Sequence, residues 1–118
     1  MTEHGFTAAE VDVAPDDVRA RHERGEIQLV DVREGYEHAA GRISGARHVE
    51  LQRLGAEADT IERDRPVVFY CRVGGRSAMA ATAFRRAGWE AYSMAGGLVA
   101  WDRGDGPLEP EAGHVADH

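Results

Sequence analysis

Lysine is absent from the chain. All 14 basic residues are arginine, which excludes Schiff-base chemistry on an amine side chain. Cysteine is nearly absent. The single Cys71 excludes an intramolecular disulfide and any zinc site built on several thiolates. No apolar run approaches the roughly 18 residues of a membrane-spanning helix. The opening MTEHGFTAAEVDV lacks the basic start and apolar stretch of a secretory signal, so a cytoplasmic location is expected. Positive charge is in deficit: 14 basic residues face 21 acidic ones, for a net charge of −7. That balance sets the surface against nucleic acid and anionic membranes as partners. Internal repeats and an interdomain linker are also missing.

What is present is the composition of one globular domain: 118 residues, 42% hydrophobic and 30% charged. Folding a chain of this size buries about two-thirds of its unfolded surface, enough for a core without cross-links. Residues 1–10 are small and polar and read as a flexible start, 11–104 as the domain, and 105–118 as an irregular tail. Strands are predicted over 11–13, 27–32, a brief stretch near 48–49, 67–70 and 90–94. Helices are predicted over 15–24, 36–40, 51–58, 77–87 and from 98 onward. Pro15 with Asp16 and Asp17 suits a first helical turn, and Gly25 and Gly88 suit helix ends. The alternation of strands and helices predicts an α/β fold, a mostly parallel sheet covered on both faces. Val67-Val68-Phe69-Tyr70, apolar throughout, reads as a central strand. Ligands of such sheets bind beyond the carboxyl ends of the strands, where Cys71 follows directly.

The segment Cys71-Arg72-Val73-Gly74-Gly75-Arg76-Ser77 carries the chemistry. Two glycines let the backbone curl so that successive N–H groups face inward as an anion nest. A helix expected to begin near Ser77 adds its positive end. Arg72 and Arg76 add cations, and together these favour a reactive thiolate at Cys71 over an inert buried thiol. Arg72 is expected at the rim, drawing in an anionic donor. Arg76 either does the same or braces the loop through an internal ion pair. Asp31 and Arg33, at another strand end, are expected to form a structural ion pair. Ser77 is expected to cap its helix. The six histidines suggest no metal site: His4, His114 and His118 fall in terminal segments, and no third ligand accompanies the last two. Trp89 and Trp101 are expected to fill core.

At these residues the chain resembles the rhodanese-like family, over roughly residues 11–101. The Cys71–Ser77 loop is similar to the family's Cys-x-x-Gly-x-Arg-Ser. Leu29-Val30-Asp31-Val32-Arg33-Glu34 resembles its Asp-Val-Arg segment. Gly41-Arg42-Ile43-Ser44-Gly45-Ala46 resembles its Gly-His-Ile-Pro-Gly-Ala signature, and Gly96-Gly97-Leu98-Val99-Ala100-Trp101 its terminal Gly-Gly-x-x-x-Trp. Arg42, Ser44 and Glu50 depart from the family pattern, where His, Pro and Pro are usual; all three lie away from the Cys71 loop. The resemblance implies about five parallel strands flanked by helices, and a Cys71 that carries sulfane sulfur as a persulfide, with no cofactor. Four residues separate Cys71 from Arg76, where cysteine phosphatases use five. The shorter loop resembles the sulfurtransferase kind. The reading is therefore a thiosulfate-type sulfurtransferase. Its substrates would be a small anionic sulfur donor and a thiol or cyanide acceptor, with a sulfur-relay protein as a further expected partner. The alternatives are a sulfur carrier or interaction module with little small-molecule turnover and, behind it, a cysteine phosphatase or arsenate reductase.

Overall fold

A computed structural model describes residues 10–118. The expected flexible start over 1–10, with His4, lies outside the described residues except for Glu10. Five parallel strands form one sheet: β1 (Asp12–Val13), β2 (Gln28–Asp31), β3 (Arg47–His48), β4 (Val67–Tyr70) and β5 (Ala91–Met94), in the spatial order β1-β5-β4-β2-β3. The helices are α1 (Pro15–Glu23), α2 (Gly35–Ala40), α3 (Leu54–Glu57), α4 (Gly75–Arg86) and α5 (Gly97–Arg103). The fold class is α/β, with the five parallel strands that the sequence implied. Among the described residues no helix is long and apolar enough to cross a membrane.

The central strand shows why both faces are covered. Side chains of a strand alternate between faces. Val67 and Phe69 join the core that takes in Ala80, Ala81 and Phe84 of α4 and Leu54 of α3. Val68 and Tyr70 join the opposite core with Val18 of α1 and Leu98 and Trp101 of α5. All four residues of β4 are fully buried. Trp89 and Trp101 are core residues, and each indole N–H is bonded, to the Ile61 and Pro107 carbonyls at 3.2 and 2.9 Å.

Two predicted helices differ in the structure. The segment expected as one helix over 51–58 is broken into 3₁₀ turns at Leu51–Arg53 and Ala58–Thr60 around the single α-turn of α3. No side chain caps any of the three pieces, and Gly55 sits within α3. The second difference concerns α4. It begins at Gly75, two residues before the expected start at Ser77, because Gly74 takes up the whole chain reversal in a left-handed conformation (φ 111°) that an L side chain rarely adopts. Ala78 N–H then closes the first turn on the Gly74 carbonyl at 3.0 Å.

The segment 105–118 contributes no helix or strand of its own, yet it is fastened to the domain. Arg42 and Glu109 exchange two backbone hydrogen bonds of 2.9 and 2.7 Å, and His114 N–H donates to the Ala40 carbonyl at 2.9 Å. Leu108 and Val115 pack on the α1/α5 core.

Candidate active site

Asp31 of β2 pairs in register with Tyr70 of β4. The chain leaves β2 toward β3 on one side and leaves β4 toward β5 on the other. Adjacent parallel strands whose continuations diverge open a crevice at their carboxyl ends. Cys71 stands at one lip of that crevice and the Asp31–Arg33 segment at the other. A cavity of about 360 Å³ lies elsewhere: it is lined by the first residues of β2 with Gly45, Arg47, Ile61 and Arg65, at the opposite end of the strands.

Cys71 is 1% exposed. Its Sγ accepts hydrogen bonds from the backbone N–H of Gly74 at 3.1 Å and of Ser77 at 3.4 Å. Ser77 Oγ lies 3.4 Å away. Helix geometry leaves the N–H groups of Gly75 and Arg76, the first residues of α4, without acceptors inside the helix. In the chain they lie between Gly74 and Ser77, whose N–H groups both bond Sγ, and such a run of N–H groups is a nest suited to a small anion.

A second helix fixes the back of this loop. Leu98 and Val99 of α5 donate their N–H groups to the carbonyls of Cys71 (2.8 Å) and Arg72 (3.1 Å). With both carbonyls drawn outward to α5, the loop's N–H groups are left to face the sulfur. The contact demands glycine at position 97: a Cβ there would stand 2.5 Å from both carbonyl oxygens, and φ is +60°. Gly97 thus does more than turn the chain into α5.

The two arginines part ways. Arg76 directs its fork at Glu37 of α2, with NH1 to Oε1 at 2.8 Å and NH2 to Oε2 at 3.0 Å. Arg76 thus makes the internal ion pair that was one of the two roles open to it. Burial opposes charge on Glu37, but the Arg76 bonds and the Glu34 N–H outweigh it and hold the carboxyl below the usual carboxylate range. Arg72 remains at the rim with its side chain 34% exposed, 3.5 Å from Asp117. Its Nε is buried without a hydrogen-bond partner among the described residues. Val73, 57% exposed, stands beside it on the open side of the loop.

Asp31 and Arg33 are both fully buried and bonded to each other at 2.7 and 2.9 Å. His38 Nδ1 adds a contact to Asp31 at 2.9 Å, and Arg33 NH2 donates to the Gly41 carbonyl at 2.8 Å. Burial again opposes charge on Asp31, and Arg33 with His38 overcomes it, lowering the carboxyl's pKa. This pair shapes the turn after β2, and its bonds do not run to Cys71.

Ser77 corrects the expectation of a cap. Gly74 occupies the cap position, and Ser77 is the third residue of α4. Its side chain leans back toward the helix start, as helical side chains do, and there meets Sγ, the Gly74 carbonyl and Ser93.

Glu37 and Ser93 are the residues that sequence reasoning missed. The spacing of Glu34 and Glu37 at a helix start was a signal for the first. A serine between the large side chains of Tyr92 and Met94 was a signal for the second. One group with metal-ligand chemistry gathers among the described residues, Glu34, Glu37 and His118. Arg76 already engages both oxygens of Glu37, so the group is an ion-pair network.

The sequence profile of the rhodanese-like domain matches residues 14–103. The thiosulfate sulfurtransferase GlpE of Pseudomonas aeruginosa is 36% identical over 90 residues, covering 75% of this chain and 81% of that protein. YqhL of Bacillus subtilis is 41% identical over 75 residues, covering 63% of this chain, and the match spans only 60% of that protein. Among solved structures, the rhodanese-related protein of Thermoplasma volcanium superimposes with a TM-score of 0.77 at 24% identity, over 82% of this chain and 95% of that one. At that identity the likeness is one of fold.

Proposed function

The chain belongs to the rhodanese-like domain family, and from that premise we propose that it is a sulfurtransferase of the thiosulfate type working through a Cys71 persulfide. The observation that carries the reading is a cysteine sulfur receiving two backbone N–H bonds at the mouth of a four-residue loop.

In the first half-reaction the Cys71 thiolate attacks the outer sulfur of thiosulfate. A sulfur–sulfur bond forms at Sγ as the sulfur–sulfonate bond breaks, and sulfite leaves with the electron pair. Arg72 draws the dianion to the rim. The terminal persulfide sulfur then carries the negative charge, and the free N–H groups at the start of α4 are suited to hold it. In the second half-reaction an acceptor, cyanide or a thiolate, attacks that terminal sulfur. The new bond forms as the bond to Sγ breaks, and Sγ keeps the pair as a thiolate. This is covalent catalysis in two displacements.

The burial of Cys71 favours a second reading alongside the first. A sulfur carrier that exchanges with a relay protein would shield its thiol in this way, with the same persulfide and little turnover of small donors. Steady-state formation of thiocyanate from thiosulfate and cyanide separates the two. Enzyme turnover abolished in Cys71→Ser supports the first reading. A single stoichiometric transfer without turnover supports the carrier, and no transfer at all rejects both. Hydrolysis of an aryl phosphate is expected to be absent, because the loop is one residue shorter than a phosphate cradle and offers no positioned acid.

A further inference from the structure

Ser93 is the small polar side chain of β5, where Ala91, Tyr92, Ser93 and Met94 are all buried, and the other hydroxyl of the strand, on Tyr92, bonds Glu90. Alternation along the strand turns it toward α4, and its hydroxyl meets Ser77 Oγ at 2.7 Å. Ser77 Oγ also lies 3.2 Å from the Gly74 carbonyl oxygen and 3.4 Å from Cys71 Sγ. Ser77 and Ser93 are both 0% exposed, so each hydroxyl proton needs a protein acceptor.

The Ser93 proton can be placed in only one way. Among the described residues Ser93 Oγ has Ser77 Oγ as its hydrogen-bond partner and no other. If Ser77 donated to Ser93, the Ser93 proton would have no acceptor. If Ser93 donates to Ser77, Ser77 keeps its own proton for the Gly74 carbonyl or for Sγ. The charge on sulfur decides between these two. A thiolate accepts only, and it draws the Ser77 proton. The Gly74 carbonyl is not orphaned by that turn, because Ala78 N–H also donates to it. When Sγ is neutral within a persulfide, the proton returns to Gly74.

We propose that Ser93 is a positioning residue for Cys71: by donating to Ser77 it commits the Ser77 hydroxyl to Sγ whenever that sulfur carries charge. Ser93 does not itself touch the reacting atoms. Its role in transfer rests on the sulfur-transfer reading, since Sγ regains charge as the acceptor takes the terminal sulfur. Its role on the free thiolate does not depend on that reading.

The test compares wild type, Ser93→Ala, Ser77→Ala and the double variant in two measurements. One is the alkylation rate of Cys71 by iodoacetamide at a fixed neutral pH. The other is single-turnover delivery of preloaded sulfur to cyanide. Ser93→Ala is expected to slow both about fivefold, within the range for the loss of one ordinary hydrogen bond. KM for thiosulfate should not move. In the Ser77→Ala background the same change should do nothing, because its effect passes through Ser77. Equal slowing in both backgrounds, or none in the wild-type background, overturns the proposal. Ser93→Thr and Ser93→Val match in shape and differ in the hydroxyl, so they read the same contrast should the alanine variant fold poorly. Equal rates in that pair also overturn it. Alkylation needs no sulfur donor. If the wild type takes no sulfur from thiosulfate, the sulfur-transfer reading falls and the alkylation rates still decide on Ser93.

Discussion

Arg76 and Glu37 close the start of α4 onto α2 through two parallel hydrogen bonds of 2.8 and 3.0 Å, guanidinium fork to carboxylate. Glu37 is fully buried and the Arg76 side chain is 19% exposed. The loop that holds Cys71 is therefore anchored by charge on the side facing α2 and by the α5 N–H groups at its back.

Removing one partner of such a pair leaves the other charge buried and uncompensated. Glu37→Gln is expected to lower the unfolding free energy by about 3 kcal/mol, and Arg76→Ala by a similar amount. The double variant should lose less than the sum of the two. Urea denaturation measures all three. KM for thiosulfate should stay near the wild-type value in Arg76→Lys, because the fork faces Glu37 and not the donor. A large rise in that KM would return Arg76 to the donor site.

The same pair, with Asp31 and Arg33, sets a pH dependence. Both carboxyls titrate lower in the fold than in the unfolded chain. As pH falls the unfolded chain takes up protons first. The stabilisation is thus complete above about pH 5 and is lost as pH drops through about 4 and on through the folded values. Unfolding midpoints in urea measured across this range should fall steeply for wild type and less steeply for Asp31→Asn. Equal slopes would contradict the assignment.

Gly97→Ala tests the α5 clamp. The added methyl group would meet the Cys71 and Arg72 carbonyls at 2.5 Å in a left-handed backbone. Such strain costs about 1–3 kcal/mol before the clash is counted. Sulfur uptake from thiosulfate should fall more than tenfold, roughly 1.4 kcal/mol or more in barrier. Gly25→Ala is the control. Gly25 is also left-handed (φ +71°), with open space where its Cβ would go, and it lies at the opposite end of the sheet. It should lose stability and keep its rate. Equal rate losses in the two variants would remove the clamp from the account.

Arg72→Ala should raise KM for thiosulfate more than it lowers kcat, since a charge at the rim acts on donor capture. The difference from wild type should shrink with added salt, because exposed charges are screened within about 10 Å at 0.1 M. An unchanged KM would move Arg72 out of donor binding.

The fold was legible because local and global signals agreed. Val67–Tyr70 could only be a strand buried on both faces, and Cys71 had to fall at its carboxyl end. The site was legible as far as consecutive residues define it: the loop, its two glycines and the candidate arginines. Long-range partners were harder to read. Arg76 had two open roles until Glu37, 39 positions away, was brought against it. Ser77 looked like a cap because the start of α4 was placed by residue type, whereas one left-handed glycine decided it. Ser93 lies 16 residues from Ser77 and meets it only through the pairing of β4 with β5 and the packing of α4.

Intact mass spectrometry after exposure to thiosulfate tests the central claim most directly. The account predicts that wild-type protein gains the mass of one sulfur atom, that cyanide removes it, and that Cys71→Ser never gains it. Uptake of sulfur by Cys71→Ser, or a wild-type mass unchanged by thiosulfate, would contradict a persulfide at Cys71.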